Sequence, residues 1–252
     1  MKKIMFILLC LALSYSLSAQ DKEDKKKTKF GKLAQADRIV LDVFTDIWVI
    51  KGSNIDTINP KQINRGANIY IMHEFPFGTS NFSFALGLGV SWHNIYSDAI
   101  PMKNFSTDSL GVKTYYDYTL FKKIPKFSPD GKQEINVKNN KFTMVYADIP
   151  LEFRFRLKNN AFKFYLGGKF GLMLGNHTKY YGDDFEENSP TGTIKIKEYK
   201  IPFINNIRYG ITLRTGWKWI QVYGYYSLSH LFKKDKGLDM YPISVGLTIS
   251  PY

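Results

Sequence analysis

In the stretch FSFALGLGVSW, residues 82–92, bulk and near-absence of side chain alternate without a break. Phe82, Phe84, Leu86, Leu88, Val90 and Trp92 take the even positions, and Ser83, Ala85, Gly87, Gly89 and Ser91 the odd ones. A period of two puts these sets on opposite faces of a β-strand, whereas a helix would mix them around its circumference. The strand must therefore meet an environment that accepts large apolar groups on one side and leaves almost no room on the other.

The same period recurs along the chain. Strands are predicted near residues 38–49, 66–76, 81–94, 141–157, 161–177, 204–216, 219–231 and 240–251, each long enough for the roughly 9–11 residues of a tilted membrane strand. In KFTMVYADIPLEFRFRLK, Val145, Ala147, Ile149, Leu151, Phe153, Phe155 and Leu157 oppose Tyr146, Asp148, Glu152, Arg154 and Arg156. AFKFYLGGKFGLML opposes Phe162, Phe164, Leu166, Phe170, Leu172 and Leu174 to Lys163, Tyr165, Gly167, Lys169 and Gly171. YPISVGLTISPY closes the chain in the same way and ends in an aromatic, Tyr252. The first strand alternates poorly, since Phe44 and Trp48 share the face of Asp42 and Asp46, and the seventh has tyrosines on both faces. Pro150 inside the fourth predicts a local bulge or a missing ladder bond.

Connections alternate in length. Residues 77–80, 158–160 and 216–218 make short turns, whereas 50–65, 95–140, 178–203 and 232–239 are long. This asymmetry predicts an all-β, eight-stranded, antiparallel up-and-down transmembrane barrel over residues 38–252, with short turns and termini in the periplasm and long loops outside the cell. Soluble eight-stranded barrels show the same alternation around a cavity. The glycines decide between the two. Gly87, Gly89, Gly167, Gly171, Gly210, Gly216 and Gly246 lie on the polar face, where small residues make room for long neighbours in a narrow lumen. By parity those neighbours are Asp42, Asp46, Glu74, Asp148 and Glu152, set against Arg154, Arg156, Lys163, Lys169, Arg208 and Arg214. Interleaved charges of this kind predict a structural network in a plugged core, not a conducting channel. Trp48, Trp92, Trp217 and Trp219 lie near strand ends, where indoles settle at headgroup level, with Tyr180 and Tyr181 in the outer girdle and Phe75 and Phe77 in the inner one.

The N-terminus fixes the expected compartment. MKKIMFILLCLALSYSLSAQ has two lysines, an apolar stretch and a small-residue exit, and predicts a signal peptide over residues 1–19 cleaved near Ser18 or Ala19. Its Cys10 is the one cysteine in the chain, and Leu9 stands before it where a lipoprotein signal needs a small residue. Residues 20–37, rich in lysine, read as a basic periplasmic segment. The chain carries 35 basic against 22 acidic residues, but export argues against a nucleic-acid partner. The expected location is the cell outer membrane, with its lipid and lipopolysaccharide as partners.

A search for chemistry returns little. His73, His93, His177 and His230 form no closely spaced pair of the kind zinc sites use, so each reads as a lone polar residue, and no metal or cofactor is expected. His73 has lipid-facing parity, as in barrel enzymes that modify lipid, yet it sits near the periplasmic end of its strand. No nucleophile, base and orienter converge, so the chain is not expected to be an enzyme. GDDFEEN offers Asp183, Asp184, Glu186 and Glu187 without the ordered spacing of a calcium site. In the longest loop Tyr115, Tyr116, Tyr118 and Phe121 cluster beside lysines, either as a protein-binding surface or packed over the barrel mouth.

Several segments together resemble the PorT-like outer-membrane β-barrel proteins of the Bacteroidota. They are the signal ending SAQ, RIVLDVFTDIW, FALGLGVSW, YADIPLEFRFR, and SLSHLF followed by MYPISVGLTIS. The resemblance covers most of the mature chain and implies a structural or accessory outer-membrane barrel. Some members of that family take part in protein export through the type IX secretion system, which implies envelope or secretion proteins as partners. It carries over no catalytic residue, and it does not reach the loop from 95 to 140. The competing function is an extracellular binding module built from the loops, ahead of a small pore or a lipid-modifying enzyme.

Overall fold

A computed structural model describes residues 38–51, 58–107, 110, 113–157, 162–186 and 192–250. The expected signal peptide, the basic segment and Tyr252 lie outside these residues. Among them eleven strands form: β1 (Ile39–Lys51), β2 (Arg65–Pro76), β3 (Phe82–Tyr96), β4 (Ala99–Thr107), β5 (Lys113–Lys123), β6 (Val137–Arg156), β7 (Phe162–Asp183), β8 (Thr193–Tyr199), β9 (Ile207–Trp217), β10 (Ile220–Ser227) and β11 (Asp239–Ile249). Eight of them run in the order β6-β3-β2-β1-β11-β10-β9-β7, and β6 pairs back onto β7 to close the barrel. These eight match the eight predicted strands, and every pairing is antiparallel. No helix of the described residues is long and apolar enough to cross a membrane.

Side-chain direction follows the pleat. Val43, Leu88 and Phe153 each leave 63–66% of their surface uncovered, and Ile71, Leu166, Ile211 and Leu247 stand out beside them in a belt around the wall. In water so large an apolar surface would drive association. Hydrocarbon requires it. Leu86 and Leu88 point outward, so the interior is not an apolar carrier pocket.

The glycines of the inner face lie where bulk would collide. A Cβ at Gly89 would overlap the Tyr70 ring, one at Gly66 the Phe44 ring, one at Gly246 the Cα and Cβ of Phe44, and one at Gly171 the Asp148 and Arg208 side chains. This accounts for the poor alternation of β1, because its aromatics belong inside. Phe44 is buried among Tyr223 and Tyr225, and Trp48 packs into an apolar cluster at the long-loop end, not at headgroup level. Tyr180 is likewise buried, against Phe185, and leaves Tyr181 as the more exposed of that pair. Trp92, Trp217 and Trp219 do face outward.

Pro150 makes no bulge. The β3–β6 register steps from Leu86–Leu151 to Gly89–Asp148 without a shift, so the ladder is interrupted opposite the proline, which has no N–H to donate. On its other side Pro150 stays level with Lys169. The β6–β7 register shifts instead at two other places, between Val137 and Asn139 and between Val145 and Tyr146.

The long loops carry structure of their own. β4 and β5 form a hairpin within the 95–140 segment, and β7 runs past the end of β9 to pair with β8. Asparagines tie these segments together, using donor and acceptor where no ladder exists. Asn140 Nδ2 donates to Ser97 O at 2.8 Å and Ala99 O at 3.0 Å, and Asn205 Nδ2 to His230 O at 2.8 Å and Phe232 O at 2.9 Å. Asn64 Nδ2 donates to Asp46 O at 2.9 Å and its Oδ1 accepts Tyr96 N at 2.7 Å. In the turn near Ser128, that hydroxyl and the Lys132 amide hydrogen-bond the Asp130 carboxylate and hold its pKa below the ordinary value.

Adjacent residues test both faces. Leu88→Arg is expected to lower stability by about 2–4 kcal/mol in lipid, against near-neutrality for a water-facing site. Gly89→Leu is expected to cost about 1–3 kcal/mol by overpacking the lumen, whereas Gly175→Ala, where a Cβ would meet nothing within 4 Å, stays within about 0.5 kcal/mol. Urea unfolding in lipid vesicles, followed by tryptophan fluorescence, measures each.

Candidate functional site: the luminal charge network and its cap

All eleven charged residues of the inner face are buried in the barrel interior: Asp42, Asp46, Glu74, Asp148, Glu152, Arg154, Arg156, Lys163, Lys169, Arg208 and Arg214. Each comes from a barrel strand at a position whose neighbours face out, so the pleat alone aims it at the axis.

Nearest the short turns the charges alternate in a chain. Arg156 grips Glu74 with two parallel bonds, Nη1 to Oε1 at 2.8 Å and Nη2 to Oε2 at 2.7 Å, and its Nε donates to Tyr165 Oη at 2.6 Å. Ser83 donates to the same carboxylate. Arg154 Nη1 reaches Glu74 at 3.4 Å, and its Nε donates to Glu152 at 2.9 Å. Arg214 then bridges Glu152 and Asp42; its Nη2 lies 2.7 Å from Asp42 Oδ2. Asp42 also accepts Thr248 Oγ1 at 2.6 Å and Asn68 Nδ2 at 2.8 Å.

One level up, Asp148 accepts Arg208 Nη2 at 2.8 Å and Tyr70 Oη at 2.9 Å, with Lys169 Nζ 3.8 Å away. Arg208 lies over the Tyr146 ring at 4.0 Å and Lys169 over the Tyr225 ring at 4.1 Å. A cation over an aromatic face recovers part of the hydration it loses. The last polar level is Asp46, which takes Ser244 Oγ at 2.6 Å and faces His93 Nδ1 at 2.7 Å.

Beyond Asp46 the filling turns apolar. Trp48, Ile95, Phe142, Met144, Leu231, Phe232 and Met240 form a cluster with Ile58, Phe121, Ile201 and Ile204 from the long loops. A cavity of about 20 Å³ lies at this junction between Trp48, His93, Met144, Tyr146 and Arg208. It has room for about one water molecule. Trp48 Nε1, His93 Nε2 and Arg208 Nε have no hydrogen-bond partner among the described residues.

Parity alone could have found further members of the network. His93 is not a lone polar residue but the partner of Asp46, and it lies on the face of Ser83, Gly87 and Ser91. Tyr70, Tyr146, Tyr165, Tyr223 and Tyr225 enter as hydroxyl donors or cation platforms. His73 faces outward against Phe75, with ring centroids 4.7 Å apart. His177 stacks near Tyr199, and His230 lies 3.3 Å from Asp239.

The loop aromatics divide. Phe121 is buried against Phe232, so it packs down over the barrel mouth, while Tyr118 is exposed. Tyr115 and Tyr116 belong to β5, and their side chains lie outside the described residues. In the acidic turn, Asp183 accepts Asn136 N at 3.0 Å, Asp184 accepts Glu186 N at 2.9 Å, and Glu186 pairs with Lys122. Glu187 is outside the described residues.

This arrangement can hold the wall in register and exclude water and ions. Its carboxylates each accept more than one donor. Breaking one pair is expected to cost far more than removing both partners. Glu74→Leu and Arg156→Met are each expected to destabilise by about 3–5 kcal/mol, and the double variant by much less than the sum, since Arg154, Glu152, Arg214 and Asp42 stay balanced without them. A double-mutant cycle in urea checks this, and additive losses would count against a charge-coupled interior.

No curated protein sequence matches the chain. The family model described as outer membrane protein beta-barrel domain matches residues 48–233, from the end of β1 through β10. The strands that complete the ring, most of β1 and all of β11, lie outside the matched range. With its closed ring, apolar belt and ion-paired interior, the chain belongs to this family of outer membrane β-barrel proteins.

Proposed function

We propose that this protein is a non-conducting, non-enzymatic anchor in the outer membrane that carries a rigid cap into the extracellular space. The single observation behind this reading is that the lumen is blocked twice, by the charge network and by the apolar cluster above it. A pore-former would keep a water-filled path, and a lipid enzyme would expose its reactive groups on the wall. The belt faces membrane lipid, and the rim on the long-loop side faces lipopolysaccharide. The likeness to PorT-like barrels supports an accessory role in type IX protein secretion, with other envelope proteins as partners. The termini and short turns then lie in the periplasm.

Two measurements test this. Purified protein in planar bilayers is expected to give no unitary conductance, and steady openings would overturn the plugged reading. Deleting the gene is expected to retain type IX cargo in the periplasm, and unchanged cargo release would remove the secretion role. A second reading, recognition by the extracellular loops, is favoured by the exposed Tyr118 and by an open cleft in the cap.

A further inference from the structure

Where β7 outruns β9, it builds a small sheet with β8. Its inner face carries Thr178 and Tyr180 from β7 opposite Glu198 and Ile196 from β8. Ile100 and Met102 of β4 line the facing side, and the turn of Asp184, Phe185 and Glu186 borders the opening. Between them lies a cleft of about 220 Å³. Pockets that enclose a whole drug-sized ligand run to roughly 300–1,000 Å³, so this one suits a single long side chain. Ile100, Tyr180 and Phe185 already belong to a buried cluster, which makes the floor firm.

The walls select a charge. Three carboxylates, Asp184, Glu186 and Glu198, border the cleft, with no basic side chain among the described residues that line it. Glu198 Oε2 is buried and has no hydrogen-bond partner among the described residues. The rim already accommodates an ammonium, because Lys122 Nζ sits 5.1 Å over the Phe185 ring and pairs with Glu186. Apolar floor and acidic rim together match a lysine or arginine side chain, whose methylene stem prefers apolar contact while its head needs a carboxylate.

The sheet supplies the backbone half of a recognition site. Among the described residues β8 pairs with β7 alone, so its other edge presents unpaired backbone groups. An extended peptide can add to such an edge, with alternate side chains entering pockets on one face. Lys195 and Lys197 lie on the opposite face of β8 and repel a basic residue there, which turns an incoming cation toward Glu198. We propose that β8 and this cleft bind an extended segment of another polypeptide through one arginine or lysine, seated between Met102 and Ile196 with its charge on Glu198. The proposal rests on the loop-recognition reading and not on the secretion role, so unchanged secretion in a deletion strain leaves it standing.

The test uses the full protein in zwitterionic nanodiscs and the blocked pentapeptide Ac-Ser-Val-Arg-Val-Ser-NH2, titrated by calorimetry. Its neutral isostere, with citrulline replacing arginine, controls for shape without altering the protein. The arginine peptide is expected to bind about tenfold more tightly, equivalent to about 1.4 kcal/mol, and Glu198→Gln is expected to abolish that preference. Met102→Trp, which fills the cleft, is expected to weaken both peptides. Equal binding of the two peptides, binding of neither, or a preference that survives Glu198→Gln overturns the proposal. If N-acetyl-arginine amide binds as tightly as the pentapeptide, the cleft takes a small cation and the strand-addition half fails.

Discussion

A backbone immersed in hydrocarbon has no water to satisfy it, and every N–H and C=O must find a partner within the wall. The β6–β7 pairing that closes the ring meets that demand, and the rest of the interior follows from it. Eight strands enclose a lumen only wide enough for side chains. Whatever points inward must then interlock with its neighbours, so large residues sit beside glycines: Phe44 between Gly66 and Gly246, Tyr70 beside Gly89. One gap in the ladder faces Pro150, where the imino nitrogen has nothing to donate.

The interior is filled by two chemistries in succession. Toward the short turns, arginines and carboxylates alternate from Arg156 to Asp42, and each guanidinium serves as a fork between strands far apart in sequence. Such pairs contribute less to stability than their geometry suggests, because both ions give up water. Their stronger effect is on specificity, since a strand shifted by one residue would turn its charges into lipid. Toward the long loops the same lumen is packed like a soluble core, with Trp48, Met144 and Met240 meeting loop residues such as Phe121 and Ile204. His93 and Asp46 mark the boundary between the two.

How much of this could be read beforehand depends on the kind of order involved. Alternation repeats at every second residue, so the eight barrel strands and the direction of all eleven luminal charges were legible. The aromatics of β1 obscured their own strand, because Phe44 and Trp48 are apolar residues on the polar face, and only the opposing glycines explain them. Trp48 looked like an interfacial indole since strand ends near a membrane favour one, but Ile95, Met144 and Met240 already provide an apolar interior at that height. The cap was illegible for a different reason. Its β4–β5 hairpin, the β7–β8 extension and the asparagine bonds depend on contacts between segments distant in sequence, with no period to betray them. His93 lay between these cases; its parity was readable, while its carboxylate partner on β1 was not.

β6 and β7 are continuous strands of 20 and 22 residues, about twice the roughly 9–11 needed to cross a bilayer. They stay paired from the short-turn end, Arg156 with Lys163, to Val137 with Gly182 in the cap. The register shift between Val145 and Tyr146 leaves the two strands paired on both sides of it, so the double strut continues unbroken past the apolar belt. A load applied to the far end must tilt the whole cylinder in the membrane plane, so anything docked there inherits a fixed angle and height above the surface.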